Sequence, residues 1–320
     1  MATNRNRSRL AVLSGGVGGA KLALGLSRLV RGDALGIIAN VGDDFTHLGL
    51  SISPDLDTLM YSLSGLVNPE TGWGCKEESW QFLTALEQLG GETWFRLGDR
   101  DLAVHIERTR RLAAGETLTK VTSALCGALG ISAAIFPATD DPLRTQVRTA
   151  NTWLDFQDYF VRQRCSPVVS GFRMKGADNA QASEQALALL KARNLAAIVI
   201  APSNPYLSID PILAIKDIRV AIEQSSAPVI AVSPIVGGRA IKGPSAKIMS
   251  ELNLEVTPLT VAQHYGSLLD GFIMDECDSA HRQKVAELGI KVMLCPTVMT
   301  CLEDKVSLAH RVLEFAAELG

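Results

Sequence analysis

The chain has 320 residues, 47% of them hydrophobic and 20% charged, with a formal net charge of -3. That length can bury one large core or two smaller ones, and the composition is that of an ordinary globular protein. A charge so near zero, spread without long blocks, offers no basic face to a polyphosphate backbone, so nucleic acid is not an expected partner and any anion site must be local.

At the start, residues 1–10 carry basic side chains, but only a short apolar run follows before Ser14, Gly15 and Gly16, so no secretory leader is read there. The run at 10–13 reads as a strand. It stops at SGGVGGAK (14–21), after which Leu22, Leu26 and Leu29 recur at helical spacing. Strand, glycine-rich turn and helix together present backbone N–H groups and a helix N-terminus to a phosphate. The loop fits neither common nucleotide fingerprint. A Walker A loop needs Gly where Ala20 stands and Ser or Thr where Leu22 stands, and a GxGxxG starting at Gly16 ends on Lys21.

Residues 35–39 are a second apolar strand, which turns polar at Asn40 and leads to Asp43, Asp44, Asp55 and Asp57 with no Lys or Arg between them. Acids behind a buried strand without partner bases are expensive to fold unless a cation or a hydrogen-bonding ligand joins them. The intervening Phe45, Leu48, Leu50, Ile52, Leu56, Leu59 and Met60 argue against a wholly solvated acidic loop. A hard-metal or polar-ligand site is therefore expected here.

From 61 to 130 the pattern becomes mainly helical (79–89, about 101–111, 119–129). It is punctuated by GWG (72–74), by Trp94 and Phe95, and by LGDRD (97–101). Alternation at 145–148 and 152–157 around Ala150 and Asn151 predicts a hairpin within a segment of about 145–176, and 181–193 reads as an amphipathic helix. Apolar runs at 196–201, 229–232, 254–256, 271–274 and 290–294 then alternate with helical patterns at 212–223, 246–252, 261–269, 280–288 and 302–319. Such alternation predicts a parallel sheet covered on both faces, with ligands at the carboxyl ends of its strands. The fold expected is α/β, a Rossmann-like parallel sheet covered by helices. Residues 1–60 and 131–320 would make the nucleotide-binding core and 61–130 a helical insertion lobe. Six cysteines without a CxxC pair read as reduced thiols of a cytoplasmic protein, and no apolar run approaches the roughly 20 residues that span a bilayer.

Eight motifs in order, SGGVGGAK (14–21), NVGDD (40–44), SPDLDT (53–58), GWG (72–74), LGDRD (97–101), APSNP (201–205), SPIVGG (233–238) and KGPSAK (242–247), give the chain a nearly end-to-end resemblance to a known family. It resembles the 2-phospho-L-lactate transferase family of coenzyme F-420 biosynthesis. The resemblance implies transfer of a 2-phospho-lactate-type unit (lactyl, enolpyruvyl or glyceryl) from a guanosine-diphosphate-linked donor to the deazaflavin precursor Fo. Guanosine monophosphate (GMP) would leave, magnesium (Mg2+) would be required, and the enzyme would be a homodimer. On that reading Asp43 and Asp57 are the expected metal ligands, with Asp44 and Asp55 in reserve; a nearby carboxylate is the general base, and Asp57 also meets Fo. Gly15, Gly16, Gly18 and Gly19 let the backbone approach the diphosphate, beside Asn40. Ser203, Asn204, Ser233, Gly237 and Gly238 hold the guanosine side. Asp99 and Arg100 receive Fo, and Lys21, Arg239 and Lys242 offset the charge of the leaving phosphate. Two rivals stand beside it. One is a non-catalytic, nucleotide-sugar-binding regulator of the gluconeogenesis-factor type; the other, a nicotinamide-dependent oxidoreductase, is opposed by the failed GxGxxG.

Overall fold

The structure is a computed structural model that describes residues 8–150 and 152–320. The turn residue Asn151 and residues 1–7, on which part of the leader reading rests, lie outside the described residues. Seven short strands form the central sheet: β1 (Arg9–Ser14), β2 (Leu35–Ala39), β3 (Ala134–Pro137), β4 (Leu195–Ile200), β5 (Val229–Val232), β6 (Gly271–Met274) and β7 (Lys291–Leu294). Their order is β3-β2-β1-β4-β5-β6-β7, and every pairing is parallel. β2 and β5 are buried at every residue, as strands covered on both faces must be.

The chain winds outward one way through β2 and β3 and the other way from β4 to β7, so its topological switch lies between β1 and β4. Open α/β sheets bind ligands in the crevice beyond the carboxyl ends of the strands at such a switch. Helix α1 (Gly16–Leu29) leaves β1 directly into that crevice and packs along the C-terminal helix Leu302–Leu319. Helix α2 (Pro54–Ser64) follows a small hairpin, Phe45–His47 with Leu50–Ile52, and lies against α1.

Between β2 and β3 come α3 (Gln81–Gln88), α4 (Asp99–Ala113) and α5 (Leu118–Ala128), the helical segment expected from sequence. α5 packs on β3, while α4 lies beside the small hairpin. The predicted hairpin is present as Arg144–Arg148 with Trp153–Asp155, and Gly171–Lys175 adds a third antiparallel strand on its other side. The Thr145 amide donates to the Gly42 carbonyl at 2.8 Å, which ties this small sheet to the loop after β2.

Two expectations change. Residues 254–256 form no strand: Leu254 N closes a helical turn on the Met249 carbonyl, and the half-exposed segment simply links Ser245–Glu251 to Pro258–Tyr265. A three-residue apolar run is too short to reveal whether a slot exists for it in a sheet. The helix expected over 212–223 is broken into Asp210–Leu213 and Lys216–Glu223, preceded by a π-helical turn at Pro205–Ile209. Asn204 caps that turn, its side-chain oxygen accepting from the Tyr206 and Leu207 amides.

Candidate active site

Asn40, the first residue beyond β2, organises the floor of the crevice. Its backbone N–H continues the ladder to the Ser14 carbonyl at 3.0 Å, and its side-chain oxygen accepts from the Gly42 amide at 2.7 Å. The amide nitrogen donates to Asp43 Oδ1 at 3.1 Å, to Asp55 Oδ2 at 2.9 Å and to the Leu207 carbonyl at 3.3 Å. One neutral side chain thus gathers two carboxylates from separate segments. Asp55, in the first turn of α2, also accepts from the Gly16 amide at 2.7 Å, at the N-terminus of α1 where negative charge is favoured.

The glycine loop is shaped by close approach. A methyl group at Gly15 would stand 2.6 Å from Asp55 Oδ2, and one at Gly18 would collide with the Pro202 carbonyl. Ser203 Oγ donates to the Gly15 carbonyl at 2.7 Å and accepts from its amide at 3.2 Å, stitching the ends of β1 and β4 across the switch. Gly19 packs against Ser14 and Ser203.

Asp43, Asp44, Asp55 and Asp57 are all buried. Burial, then repulsion from Asp55, pushes Asp43 well above the usual carboxylate range, while the Asn40 hydrogen bond pulls it back. Burial raises Asp44 to about 7 despite Arg144 and a hydrogen bond from Ser53 Oγ at 2.8 Å. Asp55 is raised to about 6, again by burial, against the hydrogen bonds from Asn40 and Gly16. Asp44 Oδ1 is buried without a hydrogen-bond partner among the described residues. Oxygen-only donors, crowded and desolvated, with one oxygen unsatisfied, fit a hard divalent cation. Asp43 and Asp55, gathered by Asn40, and the neighbouring Asp44 are candidates to hold it; among the described residues the three ligand atoms that lie within 4.8 Å of one another belong to Asp57, Asp101 and His105.

Asp57 faces the other way, toward α4. Arg108, 1% exposed, takes both its oxygens, Nη1 donating to Oδ2 at 3.2 Å and Nη2 to Oδ1. His105 Nδ1 lies 3.6 Å from Asp57, and His105 Nε2 lies 3.2 Å from Asp101. Asp101 accepts from the Tyr61 hydroxyl at 2.5 Å. Sequence reasoning did not single out Arg108, His105 or Tyr61. A signal existed: Asp101, His105 and Arg108 recur at the i, i+4, i+7 spacing of one helix face, a polar stripe where a surface helix would be expected to turn inward with apolar residues.

The remaining candidates sit around this floor. Lys21 Nζ donates to the Met299 carbonyl at 2.6 Å and Lys242 Nζ to the Thr71 carbonyl at 2.7 Å. Burial and then Lys242 lower the Lys21 pKa, so the two ammonium groups feel one another. Gly237 and Gly238, both at positive φ, turn the small hairpin Ile235–Val236 with Arg239–Ala240, a conformation that favours glycine. The Gly237 amide donates to Asp278, and Arg239 stands exposed. Ser233 Oγ folds back on Ile235, and Asn204 Nδ2 is buried without a partner among the described residues. Asp99 and Arg100 make their contacts within the helical segment. Asp99 caps the start of α3 through Ser79 Oγ and the Gln81 and Phe82 amides; Arg100, half exposed, reaches the Lys76 carbonyl and Glu77.

With this geometry in view, comparison with known proteins is informative. The profile of the family described as 2-phospho-L-lactate transferase CofD matches residues 10–295. A phosphoenolpyruvate transferase of Streptomyces griseus is 38% identical over 317 residues, covering 97% of this chain and 99% of its own. One from Mycobacterium tuberculosis is 37% identical over 313 residues, covering 91% of this chain and 94% of its own. A crystal structure of a UPF0052-family protein from Bacillus halodurans superposes with a TM-score of 0.62 at 15% identity, covering 97% of this chain and all of that one, and so shares the fold. The matches in sequence run through every element that builds the crevice, and the chain belongs to the 2-phospho-L-lactate transferase CofD family.

Proposed function

We propose that this transferase moves a phosphoenolpyruvyl unit, a close relative of 2-phospho-lactate, from a guanosine-diphosphate-linked donor to the ribityl hydroxyl of the deazaflavin precursor Fo, in coenzyme F-420 biosynthesis. The observation that carries the reading is the set of buried acids beyond β2: Asp43 and Asp55 gathered by Asn40, Asp55 on the N-terminus of α1, and Asp44 with an unsatisfied carboxylate oxygen. The near full-length likeness to phosphoenolpyruvate transferases favours the enolpyruvyl donor over its lactyl and glyceryl counterparts.

In this reaction the hydroxyl oxygen of Fo bonds to the phosphorus of the transferred unit. The bond from that phosphorus to the oxygen of GMP breaks, and the hydroxyl proton passes to a carboxylate. Phosphoryl-type transfer asks a protein chiefly for positioning and charge neutralisation. Bound magnesium would supply that neutralisation on the diphosphate, held by Asp43 with Asp44 or Asp55; Asp57 joins that set only by giving up an oxygen now on Arg108. The loop of Gly15, Gly16, Gly18 and Gly19 admits the diphosphate close to the backbone, and Lys21 and Lys242 stand by for the charge released on GMP. Asp57, on the side of the helical segment, meets the acceptor hydroxyl. Asp99 and Arg100, whose contacts lie within the outer part of that segment, would meet Fo there.

Mass spectrometry of the products formed from Fo with each of the three donors tests the reading. The expected product is Fo carrying phosphoenolpyruvate, with one GMP released per turnover, and Asp43→Asn abolishes it. A tightly bound guanosine-linked donor without GMP release in the presence of Fo and magnesium would instead support a non-catalytic binding protein.

A further inference from the structure

Arg108 is fully enclosed, and what encloses it is unusual for a structural ion pair. Its guanidinium reaches three elements at once: Asp57 in α2, the Ser51 carbonyl of the small hairpin at 3.3 Å, and His105 of its own helix at 3.2 Å. Burial is the largest single influence and works against its charge, but Asp57, Tyr61 and Asp44 together raise the guanidinium pKa. Removing an arginine from water costs several kcal/mol, and such a pair gains little over a well-packed apolar one. Stability alone therefore gives a weak account of it. A planar fork gripping both oxygens, however, fixes the rotation of a carboxylate in a way that a point charge cannot.

The neighbours fix the fork in turn. His105 Nδ1 stands 3.2 Å from the guanidinium and Nε2 3.2 Å from Asp101, so the ring is wedged between the arginine and a second carboxylate. Asp101 is held by the Tyr61 hydroxyl, from the same helix as Asp57. The side chains form a ring, Asp57–Arg108–His105–Asp101–Tyr61, that runs from α2 to α4 and back, with His105 Nε2 meeting Asp101 by proximity and not by a formed hydrogen bond. Asp57 stands at one end of α2 and Tyr61 one turn on, so the ring locks the helix carrying Asp57 as well as its carboxylate.

We infer that Arg108 is a positioning residue for the transfer, holding Asp57 in the one orientation in which it serves the acceptor hydroxyl, with His105, Asp101 and Tyr61 behind it. This rests on the role proposed above for Asp57.

A double-mutant cycle on kcat tests it, using the full-length chain with Fo, donor and magnesium. Arg108→Gln should lower kcat about 100-fold, within the range for losing a group that orients reactants, with the KM for Fo changed less than about 3-fold. Added to Asp57→Asn, the same change should cost less than about 3-fold more, because its effect passes through a carboxylate already lost. Arg108→Lys, which keeps the charge without the fork, should fold and fall between wild type and Arg108→Gln. Equal losses from Arg108→Gln in both backgrounds, or a lowered Tm with unchanged kcat, would overturn the inference and leave the role of Asp57 standing. Should Arg108→Gln not fold, Arg108→Lys carries the same cycle, and wild-type kcat for Arg108→Lys overturns the inference. Near-wild-type turnover by Asp57→Asn would sink the underlying reading as well.

Discussion

Asp44 and Asp55 are acids that the fold makes reluctant to ionise, raised to about 7 and about 6 from an ordinary 3.8. Between those values the folded chain holds protons that the unfolded chain has released. Their contribution to stability is therefore present below about pH 4 and lost as the pH rises through 6 and 7. The metal-free protein should show a Tm that falls between pH 5 and pH 8, and Asp44→Asn should flatten that slope in thermal scans. Magnesium should raise Tm more at pH 8, where the carboxylates must otherwise share a site unprotonated, than at pH 5. A slope of the opposite sign would mean that these aspartates are not desolvated in solution. That acids gather after β2 was legible in the sequence, because four aspartates without bases in so apolar a stretch are costly to fold unless a ligand meets them. Which of them keep a free oxygen was not. Arg108 is 51 residues from Asp57, and only the seating of α4 beside the small hairpin that precedes α2 brings it there. Asp99 and Arg100 drew notice as a charged turn, whereas the inward stripe of Asp101, His105 and Arg108 begins one residue later on the same helix.

At the level of elements, α1 is held between the sheet and the C-terminal helix by close backbone approach. A methyl group on Gly25 would collide with the Lys305 carbonyl of that helix and stand 3.2 Å from the Ala309 side chain. Gly25→Ala should thus cost about 1–3 kcal/mol, the usual penalty for overpacking, read as a lowered denaturation midpoint with little change in KM. Gly18→Ala, in the first turn of the same helix, meets the Pro202 carbonyl. It should lower both stability and turnover, since the loop that must move carries Ser203. Activity measurements on the two variants separate the helix's two ends. Strands were the easier elements to read: most apolar runs of four to six residues between turn signals became buried strands, although Ala134–Pro137 was not singled out and 254–256 formed none. The helix at 302–319 was read with its own bounds, whereas 212–223, 261–269 and 280–288 were read as longer and smoother than they are. The π-helical turn at Pro205–Ile209 depends on Asn204 satisfying two amides at once, a contact that no periodicity announces.

For the molecule as a whole, the sheet order alone places the crevice: β1 and β4 are paired neighbours whose connections leave in opposite directions, and Ser14, Asn40 and Ser203 lie at or just beyond the strand ends there. The order itself was not readable, since a pattern of alternating strands and helices fixes the class of sheet but not which strands are neighbours. Among the described residues no helix is long and apolar enough to cross a membrane, and all six cysteines are free thiols. Reductant should leave Tm unchanged. Alkylation of the folded chain, mapped by peptide mass, should spare Cys75, Cys126 and Cys295, which are buried and whose thiols burial pushes up to about 12, about 12 and about 11. The hydrogen bond from the Gly16 amide to Asp55 has a consequence for how the crevice fills. The leading N–H of α1 is already spoken for by a side chain of the protein itself. An incoming phosphate oxygen therefore gains that donor only by exchange, turning out a resident carboxylate that must then find a cation or a proton. On the function proposed above, loading the donor and loading the metal would be two halves of a single trade.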